Sequence, residues 1–154
     1  MDILIKILEK EILESQISEF IRILSEEPHE YWREEHFRKD LSGKFDLSIV
    51  ALSGNKIAGY IIASLKDSGP YIHKFMVEKE MRGRAIGEKM LQAFESNARV
   101  KGYSSITLTV LEDNEPAIRF YEKHDFIISG RKGASDGDYL LLVMTKSITG
   151  SLKY

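Results

Sequence analysis

Two arginines and two glycines stand together in "MRGRAIGEKML", residues 81–91, directly ahead of an amphipathic run. Glycine costs a helix interior about 1 kcal/mol relative to alanine, so Gly83 and Gly87 at the start of a helix need a reason. The first amides of a helix lack intrahelical acceptors, and the aligned peptide dipoles leave that end partly positive. Small residues let an anion approach those amides, and Arg82 and Arg84 add charge, an arrangement suited to phosphate. The stretch is neither a Walker loop, Gly-x-x-x-x-Gly-Lys-Ser/Thr, nor the dinucleotide fingerprint Gly-x-Gly-x-x-Gly. Taken alone, it reads equally well as two packing glycines beneath solvated arginines.

A second stretch, "LEDNEPAIRFYEKHDFI" at 111–127, changes that balance. Together with "FMVEKEMRGRAIGEKML" at 75–91, it resembles the GNAT acetyltransferases. Their acetyl-coenzyme A signature is a strand ending in Val, then Arg/Gln-x-x-Gly-x-Gly/Ala opening a long helix. Arg82 takes the Arg/Gln place and Gly87 the last Gly/Ala place. Ala85 stands where the family has its central glycine, a departure that sets a methyl beside the pyrophosphate. The second stretch is similar to the family's Asn-x-x-Ala-x-x-Phe-Tyr-Glu-Lys-x-Gly-Phe, with Asn114, Ala117, Phe120, Tyr121, Glu122, Lys123 and Phe126 on matching positions. Asp125 replaces the glycine, at a helix end where Asp tolerates left-handed angles better than most residues.

The resemblance covers nearly the whole chain and implies one α/β (α+β) domain over 1–154. Its sheet would be mixed and mostly antiparallel, with a splayed parallel strand pair and helices on both faces. The implied reaction moves an acetyl group from acetyl-CoA to a primary amine, by direct attack in a ternary complex and without a metal. In that reading the pantetheine arm pairs with Phe75, Met76 and Val77. The pyrophosphate rests on the turn formed by Arg82, Gly83, Arg84, Ala85, Ile86, Gly87 and Glu88. Asn114, Ala117 and Tyr121 complete the coenzyme site, and a backbone amide near Met76 faces the developing oxyanion. A non-catalytic acyl-CoA-binding module of the same fold is the alternative, and a purely structural domain with packing glycines is a third reading.

Two protons must move in such a reaction. An alkylamine with a pKa of about 10.4 is neutral in only roughly one molecule in a few thousand at pH 7. Tyr121 matches the family's tyrosine that protonates the leaving sulfur; otherwise it anchors a helix to the core. For the base, strand alternation sets Tyr71 and His73 on one face, provided no bulge intervenes. His73 falls where serotonin-type members carry histidines, and its unperturbed pKa of about 6.5 suits a base. It reads equally as a packed strand residue, leaving Tyr71, Glu78 or ordered water to take the proton. His29, His36 and Glu35 are only loosely like metal ligands and read as a solvated helix face.

The 154 residues include 43% hydrophobic and 30% charged side chains, enough for a core without staples. A net charge of −2 argues against a dedicated nucleic-acid binder. The absence of cysteine excludes a thiol nucleophile and fits a reducing compartment. The opening "MDILIKILEKEILE" is too interrupted by charge for a signal peptide, and no apolar run nears the roughly 18 residues that span a bilayer. These readings point to a cytoplasmic protein acting on an amine-bearing small molecule or protein, away from membranes, with a homodimer left open.

The elements that must position these residues follow from periodicity. A strand at 3–9 precedes a helical stripe of Leu13, Ile17, Phe20, Ile21 and Leu24, ended near Pro28. Residues 29–41 read as a second helix; the segment 26–41, rich in Glu and aromatics, either walls a site for a cationic amine or is an ordinary amphipathic helix. "FDLSIVAL" and "KIAGYIIASL" flank the hairpin signal "SGN". "DSGP" at 67–70 turns into a strand at 71–77. Ile86, Met90, Leu91, Phe94 and Ala98 mark a helix that Gly102 stops. A strand at 104–111, a helix capped by Asn114 with Pro116 in its first turn, and strands "FIISGR" and "DYLLLVMT" joined through "KGASDGD" complete the chain. The helix between 71–77 and 104–111 makes those strands parallel neighbours.

Overall fold

The structure, a computed structural model, describes residues 2–67, 69–133 and 140–149. Seven strands form one sheet in the order β1-β2-β3-β4-β5-β7-β6. They are β1 Ile3–Ile7, β2 Ile49–Ser53, β3 Lys56–Lys66, β4 Gly69–Val77, β5 Ser105–Leu111, β6 Ile127–Gly133 and β7 Leu140–Ser147. The expected "KGASDGD" joint lies mostly outside the described residues, as does Ser68 of the expected turn. All pairings are antiparallel except β4–β5. Among the described residues, no helix is long and apolar enough to cross a membrane.

Helices cover both faces. On one, α5 (Ile86–Val100) and α6 (Glu115–Lys123) pack Met90, Phe94 and Tyr121 against Ile61, Ile106 and Leu108. On the other, α1 (Lys10–Ser15), α2 (Ile17–Leu24) and α3 (Glu34–Arg38) pack Leu13, Phe20 and Phe37 against Val50, Tyr60 and Ile62. β3 lies between the two cores, and its run of buried residues from Ile57 to Ser64 is that of a strand covered on both sides. The Tyr60 hydroxyl, inside the second core, donates to the Phe20 carbonyl at 2.8 Å.

Three expected elements differ. The first helix breaks at Gln16 (φ −123°, ψ 26°) into α1 and α2, and Leu13 and Phe20 of the expected stripe still share one core. Only residues 34–38 of the expected 29–41 helix are helical. The start of "FDLSIVAL" forms α4 (Lys44–Leu47), where the buried Lys44 ammonium donates to the carbonyls of Phe37 and Lys39 and so terminates α3. The stop at Gly102 follows expectation: at the end of α5, Tyr103 N–H donates to the Ala98 carbonyl and Gly102 N–H to that of Arg99, the paired closure of a Schellman motif.

Candidate active site

The site begins where β4 and β5 part. Their parallel ladder has two pairs, Tyr71 with Thr107 and Ile72 with Leu108, and β4 then runs on to Val77 beside β3 alone. Against β3, Ile62 pairs with Lys74 and Ala63 with Ile72, so His73 is the extra residue of a β-bulge. The bulge resets side-chain alternation. Tyr71 and His73 do share a face, with ring centroids 4.9 Å apart. Lys74 now joins them, its ammonium 5.3 Å from the Trp32 ring, while Phe75 crosses to the opposite face and meets Phe120 at 5.4 Å and Tyr121 at 6.0 Å.

Backbone direction follows from Gly59 on β3. A Cβ there would lie 2.7 Å from the Met76 carbonyl oxygen, so only glycine admits this approach. Met76 therefore turns its backbone groups toward β3, and those of Phe75 and Val77 face the open edge by alternation. Arg82 Nε bonds the Val77 carbonyl at 3.2 Å from that edge. The amide available near Met76 is thus that of a neighbour, a refinement of the sequence expectation.

A cavity of about 370 Å³ fills the wedge. Its walls include His73, Phe75, Met76 and Val77 from β4, and Arg82, Gly83, Ala85, Ile86, Gly87 and Glu88 from the turn into α5. Asn114, Ala117 and Tyr121 close it from the α6 side. Of the turn residues singled out from sequence, Arg84 is exposed and does not line this cavity. Gly83 has φ 83°, and Ala85 sits at the N-cap of α5 with φ 60° and ψ 23°, both left-handed. At Gly87 a Cβ would meet Phe120 Cζ at 3.5 Å and Val77 Cγ2 at 3.7 Å, ordinary contacts that leave this glycine sterically replaceable within the protein. Asn114 caps α6 by accepting from Ala117 N at 3.4 Å.

The polar groups at the inner end differ in character. Tyr121 packs among Phe75, Phe120 and Phe126, and burial pushes its phenol well above the usual range. Among the described residues its hydroxyl has no hydrogen-bond partner. His73 Nε2 lies 2.6 Å from the buried Ser64 Oγ. Burial, and then the charge of Lys66, lowers the His73 pKa to about 4. The ring is neutral at pH 7.

Sequence reasoning did not single out Glu27, Glu30 and Thr109, which also line the cavity. The segment after α2 crosses the wedge: Glu26 accepts from Lys79 N at 2.9 Å, Glu30 pairs with Lys74 at 2.5 Å, and His29 Nε2 lies 3.8 Å from Asp113. His29 also bonds Glu27 at 2.6 Å, which raises its pKa. His36 Nδ1 accepts from Arg33 N at 2.9 Å, and among the described residues no metal-ligand cluster forms. Two signals pointed here: the Glu-rich composition of 26–41, and the alternate threonines in "SSITLTVL", which mark a strand face not fully given to the core.

Comparison with known proteins bears on this wedge. The family described as "Acetyltransferase (GNAT) family" matches residues 10–126, most of the chain and all of the walls just described. The chain belongs to the GNAT acetyltransferases. Among relatives, an acetyltransferase of Pectobacterium atrosepticum is 27% identical over 99 residues, which cover 61% of this chain and 70% of that protein. Among solved structures, Ard1 from Thermoplasma volcanium superposes with a TM-score of 0.80 at 25% identity, covering 96% of this chain and 98% of its own. The NatC complex bound to Gag peptide and CoA also gives 0.80, at 19% identity and 96% and 99% coverage, a likeness of GNAT fold.

Proposed function

We propose that this GNAT domain is an acetyl-CoA-dependent N-acetyltransferase that acetylates a primary amine by direct attack in a ternary complex. The observation that carries the reading is the wedge itself. One cavity joins an anion-suited turn, a strand edge that pairs with no other strand, and two groups that burial holds neutral, an imidazole able to accept a proton and a phenol able to give one. The residues fit the coenzyme. Amides at the start of α5 and the Arg82 guanidinium suit a pyrophosphate. The outer edge at Phe75 and Val77, which pairs with no strand and whose Val77 carbonyl accepts from Arg82, suits an extended amide-bearing arm that takes the place of this side-chain bond, and the fold neighbour named above was solved with CoA.

Acetyl-CoA supplies the activated thioester carbonyl. The Phe75 amide, on the open edge, is the donor for charge developing on the carbonyl oxygen. His73 takes the amine proton. In the tautomer whose Nε2–H donates to Ser64 Oγ, the lone pair for this task is on Nδ1, and Ser64 acts as a positioning residue by favouring that tautomer. Tyr121 gives its hydroxyl proton to the departing sulfur as the C–N bond forms and the C–S bond breaks; its raised pKa keeps that proton in place until then. An ammonium acceptor first releases one proton to solvent; the proton that the attacking nitrogen then sheds as the C–N bond forms passes to His73 and, relayed through solvent, replaces the phenolic proton that Tyr121 has given to sulfur.

Calorimetric titration with acetyl-CoA, followed by thiol release over an amine panel, tests the reading. Binding is expected to raise the melting temperature by mass action, with thiol released only when an amine is present. No binding at millimolar coenzyme refutes it. Binding without transfer to any amine favours a non-catalytic acyl-CoA-binding module.

A further inference from the structure

On the His73 face of the sheet, a second cavity of about 230 Å³ lies against the wedge. Thr109 lines both, and its Oγ1 lies 2.7 Å from the Tyr71 hydroxyl, so this pair forms the partition. The second cavity is walled by Lys66, Tyr71, Thr107, Thr109 and Lys132, with Asp67 the single acid among the described residues that line it. Lys66 Nζ stands 4.2 Å from the Tyr71 ring centroid. Among the described residues neither Lys66 nor Lys132 has a carboxylate partner. The acidic residues on the wedge side are, by contrast, already matched: Glu30 with Lys74 and Glu27 with His29. Among the described residues, positive charge is thus in excess of negative charge in the second cavity, and the wedge-side carboxylates are paired.

We infer that this second cavity binds an anionic group of the acceptor, a carboxylate or a phosphate, on Lys66 and Lys132, so that the acceptor's amine points past Tyr71 and Thr109 into the wedge. The inference rests on the acetyltransferase reading and narrows its substrate class to amines that carry an acid. An ammonium over an aromatic face is held weakly, by about 0.5–1 kcal/mol at exposed sites, and remains available to a charged acceptor, which binds it more strongly. Threonine hydroxyls and the Tyr71 phenol supply further donors around the same space.

Two matched pairs of amines test this: β-alanine against β-alaninamide, and O-phosphoethanolamine against ethanolamine, each at saturating acetyl-CoA. The acidic member of one pair is expected to show a KM lower by about tenfold or more, in line with a charged hydrogen bond. The pair that responds identifies carboxylate or phosphate. In the double variant Lys66→Gln/Lys132→Gln, that KM advantage falls toward one while the neutral amine's KM stays near the parent value; any change in kcat that follows from removing the Lys66 charge beside His73 falls equally on both members of a pair. A readout without turnover is the ¹⁵N spectrum: inorganic phosphate or acetate should shift the Tyr71, Thr107 and Thr109 amides of the parent and not of the variant. Equal KM values within both pairs, an advantage that survives the double substitution, or no anion-dependent shift overturns the inference. The two readings fail separately. Failure to bind acetyl-CoA, or to acetylate any of the four amines, refutes the transferase reading and this one with it. Acetylation of acidic and neutral amines alike refutes only the anion site.

Discussion

Ala85 offers the sharpest quantitative test of the turn. It holds φ 60° and ψ 23° at the N-cap of α5, with no side-chain cap bond. Left-handed backbone costs a non-glycine residue about 1–2 kcal/mol. Ala85→Gly removes that cost and gives back about 0.4–1 kcal/mol through the added freedom of the unfolded chain. The residue is exposed, so no packing is lost. The net gain is about 0.5–1 kcal/mol, or roughly 1–4 °C in melting temperature for a domain of this size. Differential scanning calorimetry on the coenzyme-free protein measures it. Ala85→Val, β-branched at the same φ, should move the melting temperature the other way. A glycine variant no more stable than the parent would refute the left-handed assignment. Because Ala85 also lines the wedge, the glycine variant should bind acetyl-CoA more tightly in titration calorimetry.

Three further outcomes are expected. Gly87→Ala should hold or raise the melting temperature, since its Cβ meets only ordinary contacts and the helix gains up to about 1 kcal/mol of propensity; the bulkier Gly87→Leu should bind coenzyme more weakly in titration, and unchanged affinity would leave this glycine a packing residue. Tyr121→Phe should lower kcat by about 10²–10⁴-fold with coenzyme affinity nearly constant; an unaltered single-turnover rate removes the phenol from the mechanism. With a folded pKa of about 4, His73 should add no break near pH 6.5 to the parent's rate profile, and His73→Gln should lower the rate across the neutral range with the same slope. That histidine also ionises more readily when unfolded, so it stabilises the fold above pH 6.5 and withdraws that stability as pH falls toward 4. Acid denaturation of the glutamine variant should accordingly be less steep in that window, and a steeper transition would contradict the lowered pKa.

Local chemistry made much of this legible. The SGN hairpin, the stop at Gly102 and the Asn114 cap each rest on a few adjacent residues, the parallel pairing of β4 with β5 rests on the helix that joins them, and each formed. Asp125 adopts φ 74°, as its tolerance for left-handed angles suggested. The bulge at His73 was hidden because it depends on how β3 registers against β4, and alternation alone sets Phe75 on the His73 face. The true length of α3 was hidden too. Its end is fixed by the ammonium of Lys44, six residues beyond the last helical residue Arg38 and unmarked in the pattern of 29–41. The lysine-walled cavity draws on β3, β4, β5 and β6 at once, a convergence that no single stretch of sequence displays.

The short ladder between β4 and β5 has a consequence for how the molecule opens. Two residue pairs join four strands on one side to three on the other. Elsewhere the halves are tied by longer-range links such as Lys146 with Glu95, at 2.9 Å, and Arg99 Nε with the Ile148 carbonyl, also at 2.9 Å. Sub-global unfolding follows cooperative units of this kind. Native-state hydrogen exchange should therefore resolve two foldons, with β5–β7 amides exchanging through a lower-energy opening than those of β2 and β3. A ligand seated in the wedge touches both halves and should merge them into one. Coenzyme would then serve as a missing strand in the mechanical sense, so that occupancy is read out as uniform protection across all seven strands.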